Sequence, residues 1–111
     1  MTLAEFYQYW KQHHAKKNLE KTTIAYNDAL VTKIEEGLGH LKIDKVLPRH
    51  ILEFIDQISA PGMGHNNTTL SSNTVRKHYN LLKTLFNAAE QWEFIINNPM
   101  DKVTPPKKEK V

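Results

Sequence analysis

The chain has 111 residues, of which 40% are hydrophobic and 24% charged, as is typical of one globular domain with a modest core. It has no cysteine, which excludes disulfides, thiolate chemistry and cysteine-based zinc sites. The opening MTLAEFYQYWKQ lacks a charged leader followed by an apolar run, and no apolar stretch approaches membrane-spanning length. We therefore expect a soluble cytoplasmic protein with no membrane partner.

The net charge of +3 is small, but the charges are unevenly distributed along the chain. From Gln57 to Ala89 there is no acidic residue, whereas Arg76, Lys77 and Lys83 lie in this segment. A surface without carboxylates suits a polyanionic partner. A long neutral loop and chance would produce the same distribution, so charge alone leaves both explanations open.

Apolar residues recur at helical spacing, and no segment shows the alternation of apolar and polar residues that is typical of a strand. This pattern predicts an all-α fold of four helices. Thr2 is a suitable N-cap for a first helix that ends near His14. Its expected buried stripe consists of Leu3, Phe6, Tyr7, Trp10 and His14. A second helix is predicted from Thr22 or Thr23 to Glu36, ended by Gly37 and Gly39 with a left-handed C-cap. Its expected buried residues are Tyr26, Leu30, Val31 and Ile34.

Pro48 suits the first position of a third helix, because its missing N–H costs nothing there. The residues expected to face inward from this helix are Ile51, Leu52, Ile55 and Ile58. The following SAPGMGHNNTTLSS is too polar for a core and is predicted to be a loop. At this length the loop is either mobile or functional.

The fourth predicted helix begins after Ser71 or Ser72 and has two different faces. Its expected buried stripe consists of Val75, Tyr79, Leu82, Leu85, Phe86, Ala89 and Trp92. The opposite face carries Arg76, Asn80, Lys83 and Asn87. Cations in the first turns of a helix are unfavourable in isolation, which makes this helix unusual. The tail DKVTPPKKEKV is predicted to lie outside the core, as a basic linker.

Four segments, in this order, resemble the N-terminal core-binding domain of the tyrosine recombinases, the phage integrase family. They are TLAEFYQYW, KTTIAYNDAL, GLGHLKIDKVLPRHILEFI and LSSNTVRKHYNLLKTLFNAAEQWEFIINNPMDKVTPPK. The last contains the family's Leu-x-x-x-Phe-x-x-Ala core and terminal Asn-Pro, and the likeness covers essentially the whole chain. The resemblance implies a four-helix SAM-like domain over residues 1–100. Residues 101–111 would begin a basic linker toward an absent catalytic domain.

The family's catalytic domain supplies a tyrosine nucleophile surrounded by arginines, a lysine and histidines. This chain has only Arg49 and Arg76 as arginines, and Tyr7, Tyr26 and Tyr79 lie on apolar stripes. We therefore expect no catalytic residue and no enzymatic activity in this chain. The resemblance implies a fragment of a tyrosine recombinase from a phage or mobile element, acting in a bacterial host cell.

In the family, the second and fourth helices approach the DNA major groove, and the resemblance implies the same here. Both helices begin with side chains of the kinds that bind phosphate and base edges. The predicted DNA contacts are Lys16, Lys17, Lys21, Thr22, Thr23, Asn27, Ser72, Asn73, Thr74, Arg76, Lys77, Asn80, Lys83, Lys107 and Lys108. The implied function is binding of a core half-site on double-stranded DNA during site-specific recombination, beside other integrase protomers. We expect the isolated domain to be a monomer.

No pair among the six histidines has the i, i+4 spacing of a helical metal site, so we predict no metal and no cofactor. Two other functions remain open. The basic face could dock an acidic protein partner, or the chain could be a stand-alone helix-turn-helix regulator. Binding to random duplex DNA distinguishes the first alternative, and the oligomeric state distinguishes the second.

Overall fold

The computed structural model describes residues 1–62 and 69–106, and within these residues it contains helices and no strand. Helix α1 (Leu3–Trp10) continues through a π-helical turn (Lys11–Ala15) into the short α2 (Lys16–Asn18). Helices α3 (Lys21–Leu38), α4 (Pro48–Ile58) and α5 (Ser72–Gln91) follow, with 3-10 turns at Ile43–Lys45 and Pro99–Lys102. The predicted all-α, four-helix class is confirmed, because α1, the π turn and α2 form one continuous first helix.

The first helix begins as predicted but ends later. The Thr2 hydroxyl accepts a hydrogen bond from the Glu5 N–H at 3.2 Å, and the Glu5 carboxylate accepts one from the Thr2 N–H at 2.8 Å, which together form a capping box. The predicted end at His14 is wrong, because a π turn extends the helix to Asn18. This wider turn makes Ala15 the next fully buried residue after Trp10 and leaves His14 half-buried.

Helix α3 packs inward through Leu30, Val31 and Ile34, as predicted. The prediction that Tyr26 is buried is wrong, since 46% of this residue is exposed. The first turns of α3 extend past the core, so helical spacing alone did not decide the burial of Tyr26. The expected left-handed C-cap is also wrong, because Gly39 has a φ of −61°.

Helix α4 begins with Pro48 at its first position, as predicted, and buries Ile51 and Ile58. Leu52 was expected to be buried but is 48% exposed, and Phe54 occupies the core instead. The reason is a close approach between α3 and α4. A Cβ added at Gly37 would lie 2.8 Å from Phe54 Cδ1, so the absent side chain makes room for the ring.

Helix α5 contacts α1, α3 and α4 and forms the centre of the fold. Ser71 is its N-cap, and the Ser71 hydroxyl accepts a hydrogen bond from the Thr74 N–H at 3.2 Å. The predicted stripe is buried except for Trp92, which is half-buried. His78 and Leu81 are also buried. The central helix therefore has a wider buried face than its strict stripe predicts.

The segment after α5 returns across that helix. Asn98, Met100 and Val103 are buried, and the Asn98 side-chain amide donates a hydrogen bond to Asn87 Oδ1 at 2.9 Å. The prediction that the chain leaves the core before Asp101 is wrong for Val103, which is 6% exposed. The 3-10 turn at Pro99–Lys102 redirects the chain and brings this valine back to the core.

Candidate nucleic-acid interface

The N-terminal halves of α3 and α5 lie side by side. Lys77 Nζ on α5 is 5.2 Å from the ring centroid of Tyr26 on α3, within the range of a cation–π interaction. An open groove of about 340 Å³ lies between the helices and is bordered by Asn27, Lys77 and Asn80. These three predicted DNA contacts, taken from two separate segments of the sequence, therefore lie on one surface.

The outer side of α5 is a polar ridge without acidic residues in its first half. Asn73, Lys77, Asn80 and Lys83 are exposed on it, at helical spacing. In the part of the chain that the structure describes, Lys77 and Lys83 have no carboxylate oxygen within 4 Å. Among the described residues, no carboxylate therefore neutralises the positive charge of this ridge.

The start of α5 is occupied by its own capping interactions. Thr74 donates its N–H to the Ser71 hydroxyl, and the two hydroxyl oxygens are 2.9 Å apart. The Thr74 carbonyl accepts a hydrogen bond from His78 Nδ1 at 2.8 Å. Ser72 and Thr74 are half-buried, whereas Asn73 is exposed. Among these predicted contacts, Asn73 is the one with the most accessible side chain.

The start of α3 is different, because its N-cap, Glu20, makes no side-chain capping hydrogen bond. Lys21, Thr22 and Thr23 are all exposed in the first turn. No hydrogen-bond acceptor for the backbone N–H groups of Thr22 and Thr23 lies among the described residues. Uncapped N–H groups and a nearby lysine suit an anionic oxygen.

Arg76 was expected on the exposed ridge, but its side chain is half-buried and engaged. Its Nη1 donates a hydrogen bond to the Pro106 carbonyl oxygen at 2.6 Å. This contact gives the cation a partner within the chain, although four of the five guanidinium N–H groups remain for other acceptors. Arg76 thus joins the start of α5 to the C-terminal segment.

The family profile described as the phage integrase SAM-like domain matches residues 2–109. The chain belongs to this family. A solution NMR structure of the phage integrase SAM-like domain from Moorella thermoacetica is similar with a TM-score of 0.77 and 22% sequence identity. The match covers 98% of this chain and 88% of the other, and it shows the shared fold. No curated protein sequence matches the chain.

Membership confirms the resemblance and assigns this integrase SAM-like domain an integrase-related role. The match concerns the SAM-like domain and contains no catalytic domain. Within the described ranges, no cluster of three or more His, Asp or Glu residues is placed to hold a metal ion. No helix in those ranges is sufficiently long and apolar to cross a membrane.

Lys21, in the first turn of α3, also borders a second groove of this integrase domain, together with Lys16 and Asp28. Burial raises the pKa of Asp28, but hydrogen bonds from the Tyr7 hydroxyl at 2.6 Å and Lys11 Nζ at 2.9 Å lower it below its usual value. Asp28 is therefore ionised and already paired with Lys11. Lys16, Lys17 and Lys21 are exposed, with no carboxylate within 4 Å among the described residues.

The last two predicted contacts, Lys107 and Lys108, lie outside the residues that the structure describes.

Tyr26 borders the groove between α3 and α5, although its helical spacing predicts a core position. The sequence signal for the exposure of Tyr26 was the all-polar first turn of α3 (Lys21–Thr23), which indicates that the N-terminal end of this helix extends beyond the core.

Proposed function

We propose that this domain binds double-stranded DNA at a core half-site in site-specific recombination. The surface that would bind consists of the first two turns of α3 and the exposed ridge of α5, hereafter the α3–α5 surface. Its members are Lys21, Thr22, Thr23, Asn27, Asn73, Lys77, Asn80 and Lys83. The observation that carries the proposal is the contact between Lys77 and Tyr26, which joins the two helices into one surface.

The chemistry of the α3–α5 surface suits both parts of DNA recognition. The first turn of α3 offers backbone N–H groups, two hydroxyls and Lys21, which are typical phosphate contacts. Asn80 lies on the exposed middle of α5, and Asn pairs in bidentate fashion with adenine in the major groove. Lys83 follows almost one turn later, and lysine favours guanine. The α3 end would therefore position the duplex, and the α5 ridge would read bases.

The charge arrangement supports the same partner. Lys77 lies near the N-terminal end of α5, where a cation costs at most about 1 kcal/mol in the free protein. A phosphate placed there interacts favourably with both the lysine and the helix terminus. The absence of acidic residues from Gln57 to Ala89 removes a source of repulsion for the DNA backbone. A bound DNA phosphate would thus offset the cost of placing a cation near the start of α5.

A salt titration with a random-sequence duplex tests the proposal. If the three lysines of the α3–α5 surface contact phosphates together with Lys16, Lys17 and Arg76, about six cations take part, and the logarithm of the association constant should fall with the logarithm of salt concentration with a slope of roughly −5. Fluorescence anisotropy of a labelled duplex measures this slope. Absence of binding at low salt would contradict the proposal and favour a protein-docking module.

Amide chemical shifts on adding the duplex locate the contact. We expect changes in residues 21–27 and 72–83, and little change in residues 42–46, which follow the C-terminal end of α3. The reverse pattern would place the DNA on another surface. Sedimentation of the free domain should show a monomer, whereas a stable dimer would favour a helix-turn-helix regulator.

The proposal extends to the larger assembly that such a domain serves. We place the chain in a tyrosine recombinase, in which this domain holds one half-site beside other integrase protomers. Strand cleavage would belong to the catalytic domain of that recombinase. The α3–α5 surface would bind the duplex without acting on its phosphodiester bonds. The DNA sequence recognised would be set by Asn80, Lys83 and their neighbours.

A further inference from the structure

The C-terminal segment of residues 98–106, hereafter the strap, runs antiparallel to α5. Asn98 bonds to Asn87 near the end of α5. The Tyr79 hydroxyl lies 3.4 Å from the Val103 carbonyl oxygen that accepts its hydrogen bond, nearer the middle of the helix. Arg76 holds the Pro106 carbonyl near the helix start. The strap therefore delivers the chain to the same end of α5 that borders the α3–α5 surface.

The last part of the strap depends on Arg76. Val103 is buried and anchors the strap, whereas Thr104 and Pro105 are exposed. Pro105 and Pro106 have no N–H to donate. Among the described residues, the bond from Arg76 is the one hydrogen bond made by residues 104–106. Loss of this bond would free residues 104–106 while leaving the core intact.

The acceptor of the Arg76 bond is a neutral carbonyl. The bond to the carbonyl has charge on its donor alone, whereas a guanidinium bond to a phosphate oxygen has charge on both partners and can be bidentate. Arg76 lies one residue before Lys77, in the part of α5 that borders the α3–α5 surface. A duplex bound there would bring phosphate within reach of the guanidinium.

We propose that Arg76 is a latch that exchanges the Pro106 carbonyl for a DNA phosphate when the domain binds a duplex. In the free domain the latch holds the departing chain against the start of α5. On DNA the latch opens, and residues 104–106 are free to take a new direction. This inference rests on the proposed function, because the exchange requires a duplex at the α3–α5 surface.

The sequence allows the latch to be observed at a single atom. Pro106–Lys107 is the one Pro–Lys step in the chain. Labelling proline carbonyls with ¹³C and lysine amides with ¹⁵N therefore yields one carbonyl–amide correlation signal, whose ¹³C shift reports the hydrogen bond to the Pro106 carbonyl. The measurement compares the wild-type chain with Arg76→Ala, each free and saturated with a random-sequence duplex. Arg76→Gln serves as a second variant if the alanine variant does not fold.

The expected result is a Pro106 carbonyl shift that differs between the wild type and Arg76→Ala in the free domain. The difference should vanish when both are saturated with duplex, because Arg76 no longer touches the carbonyl. The control Lys83→Ala removes from the same helix a cation that makes no hydrogen bond or ion pair with the strap among the described residues. This control should leave the shift of the free domain unchanged.

Two outcomes would overturn the latch. An identical shift in the free wild type and free Arg76→Ala would mean that no latch forms. A difference that persists in the duplex complexes would mean that the latch stays closed on DNA. In the second case duplex binding, and with it the proposed function, would survive. Failure of the duplex to bind would instead overturn the proposed function together with the exchange.

Discussion

The side chains of α5 differ in their exposure and in the hydrogen bonds that they make. Asn80 and Lys83 are exposed and make no side-chain hydrogen bond or ion pair within the described residues. His78 is buried and bonded to the Thr74 carbonyl, and Arg76 is bonded to the strap. Substitutions on this one helix should therefore separate DNA binding from stability.

Lys83→Ala should weaken duplex binding and reduce the magnitude of the salt slope by about 1, because one phosphate or base contact is lost. The melting temperature should stay nearly unchanged, since exposed substitutions cost no more than about 0.5 kcal/mol. Lys45→Ala is the matched control. Lys45 is exposed in the 3-10 turn that follows the C-terminal end of α3, a helix of 18 residues and about 27 Å. Equal losses of affinity in the two variants would refute the assigned surface.

His78 should make stability depend on pH. Burial lowers the pKa of His78, the hydrogen bond to the Thr74 carbonyl raises it, and nearby Lys33 lowers it, with a net decrease from the usual 6.5. On acidification the unfolded chain binds the proton first. The stability due to the neutral histidine is therefore complete above the unfolded pKa and is lost as the pH falls through the lower, folded pKa.

Urea unfolding between about pH 8 and about pH 5 measures this dependence. The variant His78→Gln should show a smaller loss of unfolding free energy over that range than the wild type. His13→Gln, at an exposed histidine, should behave like the wild type. An equal pH dependence in all three proteins would show that His78 does not contribute.

The two helices of the α3–α5 surface start differently, and the difference bears on their roles. Helix α5 is capped by Ser71, whereas Glu20 leaves the first turn of α3 without a side-chain acceptor. The uncapped start costs stability in the free domain, because capping residues contribute about 1 kcal/mol. On the DNA proposal, phosphate is the acceptor that replaces the missing cap.

Glu20→Asp keeps the charge and introduces a better capping residue. We expect the free energy of unfolding to rise by up to about 1 kcal/mol. Duplex affinity should fall, because the aspartate would compete with phosphate for the same N–H groups. Thermal unfolding and anisotropy titrations measure the two effects. A stabilised variant with unchanged affinity would show that α3 does not use its first turn for DNA.

The packing of α3 on α4 predicts opposite sensitivities at two nearby apolar residues. Phe54→Ala should lower the free energy of unfolding by about 3–5 kcal/mol, because the buried ring leaves a cavity. Leu52→Ala should cost far less, since Leu52 is 48% exposed. Chemical denaturation measures both losses. Comparable losses of unfolding free energy in the two variants would mean that α4 is rotated about its axis so that Leu52 faces the core, as its spacing predicts.

At the scale of the whole molecule, the local signals in the sequence predicted most of the helices. Thr2, Pro48 and Ser71 act within one turn of their own position, as caps or as a first helical residue, and each is confirmed. The stripe of α5 was predictable because this helix lies at the centre of the fold, where neighbours cover it from several directions. Local chemistry and periodicity suffice in such places.

Other features depend on which segment lies opposite, and spacing alone did not reveal them. Tyr26 has the spacing of a core residue but borders the groove under Lys77. Phe54 replaces Leu52 in the core because Gly37 of another helix leaves space for its ring. Val103 is buried because a 3-10 turn brings it back to α5. Each outcome is set by residues distant in sequence.

The candidate site shows the same division. The residue types that bind phosphate and bases were visible in the sequence, and they remain predictions as DNA contacts. Their arrangement was not visible: the structure brings Asn27, Lys77 and Asn80 to one groove and turns Arg76 toward Pro106. The uncapped start of α3 also required the structure, because capping depends on side-chain geometry.

The sequence by itself determined that this chain is helical, where its main helices begin, and which family it resembles, because caps, proline and apolar spacing act over a few residues. Only the tertiary structure decided that two helix starts share one surface and that the C-terminal segment returns to α5. Those facts follow from packing between distant segments, in which each side chain takes its place according to the space that others leave.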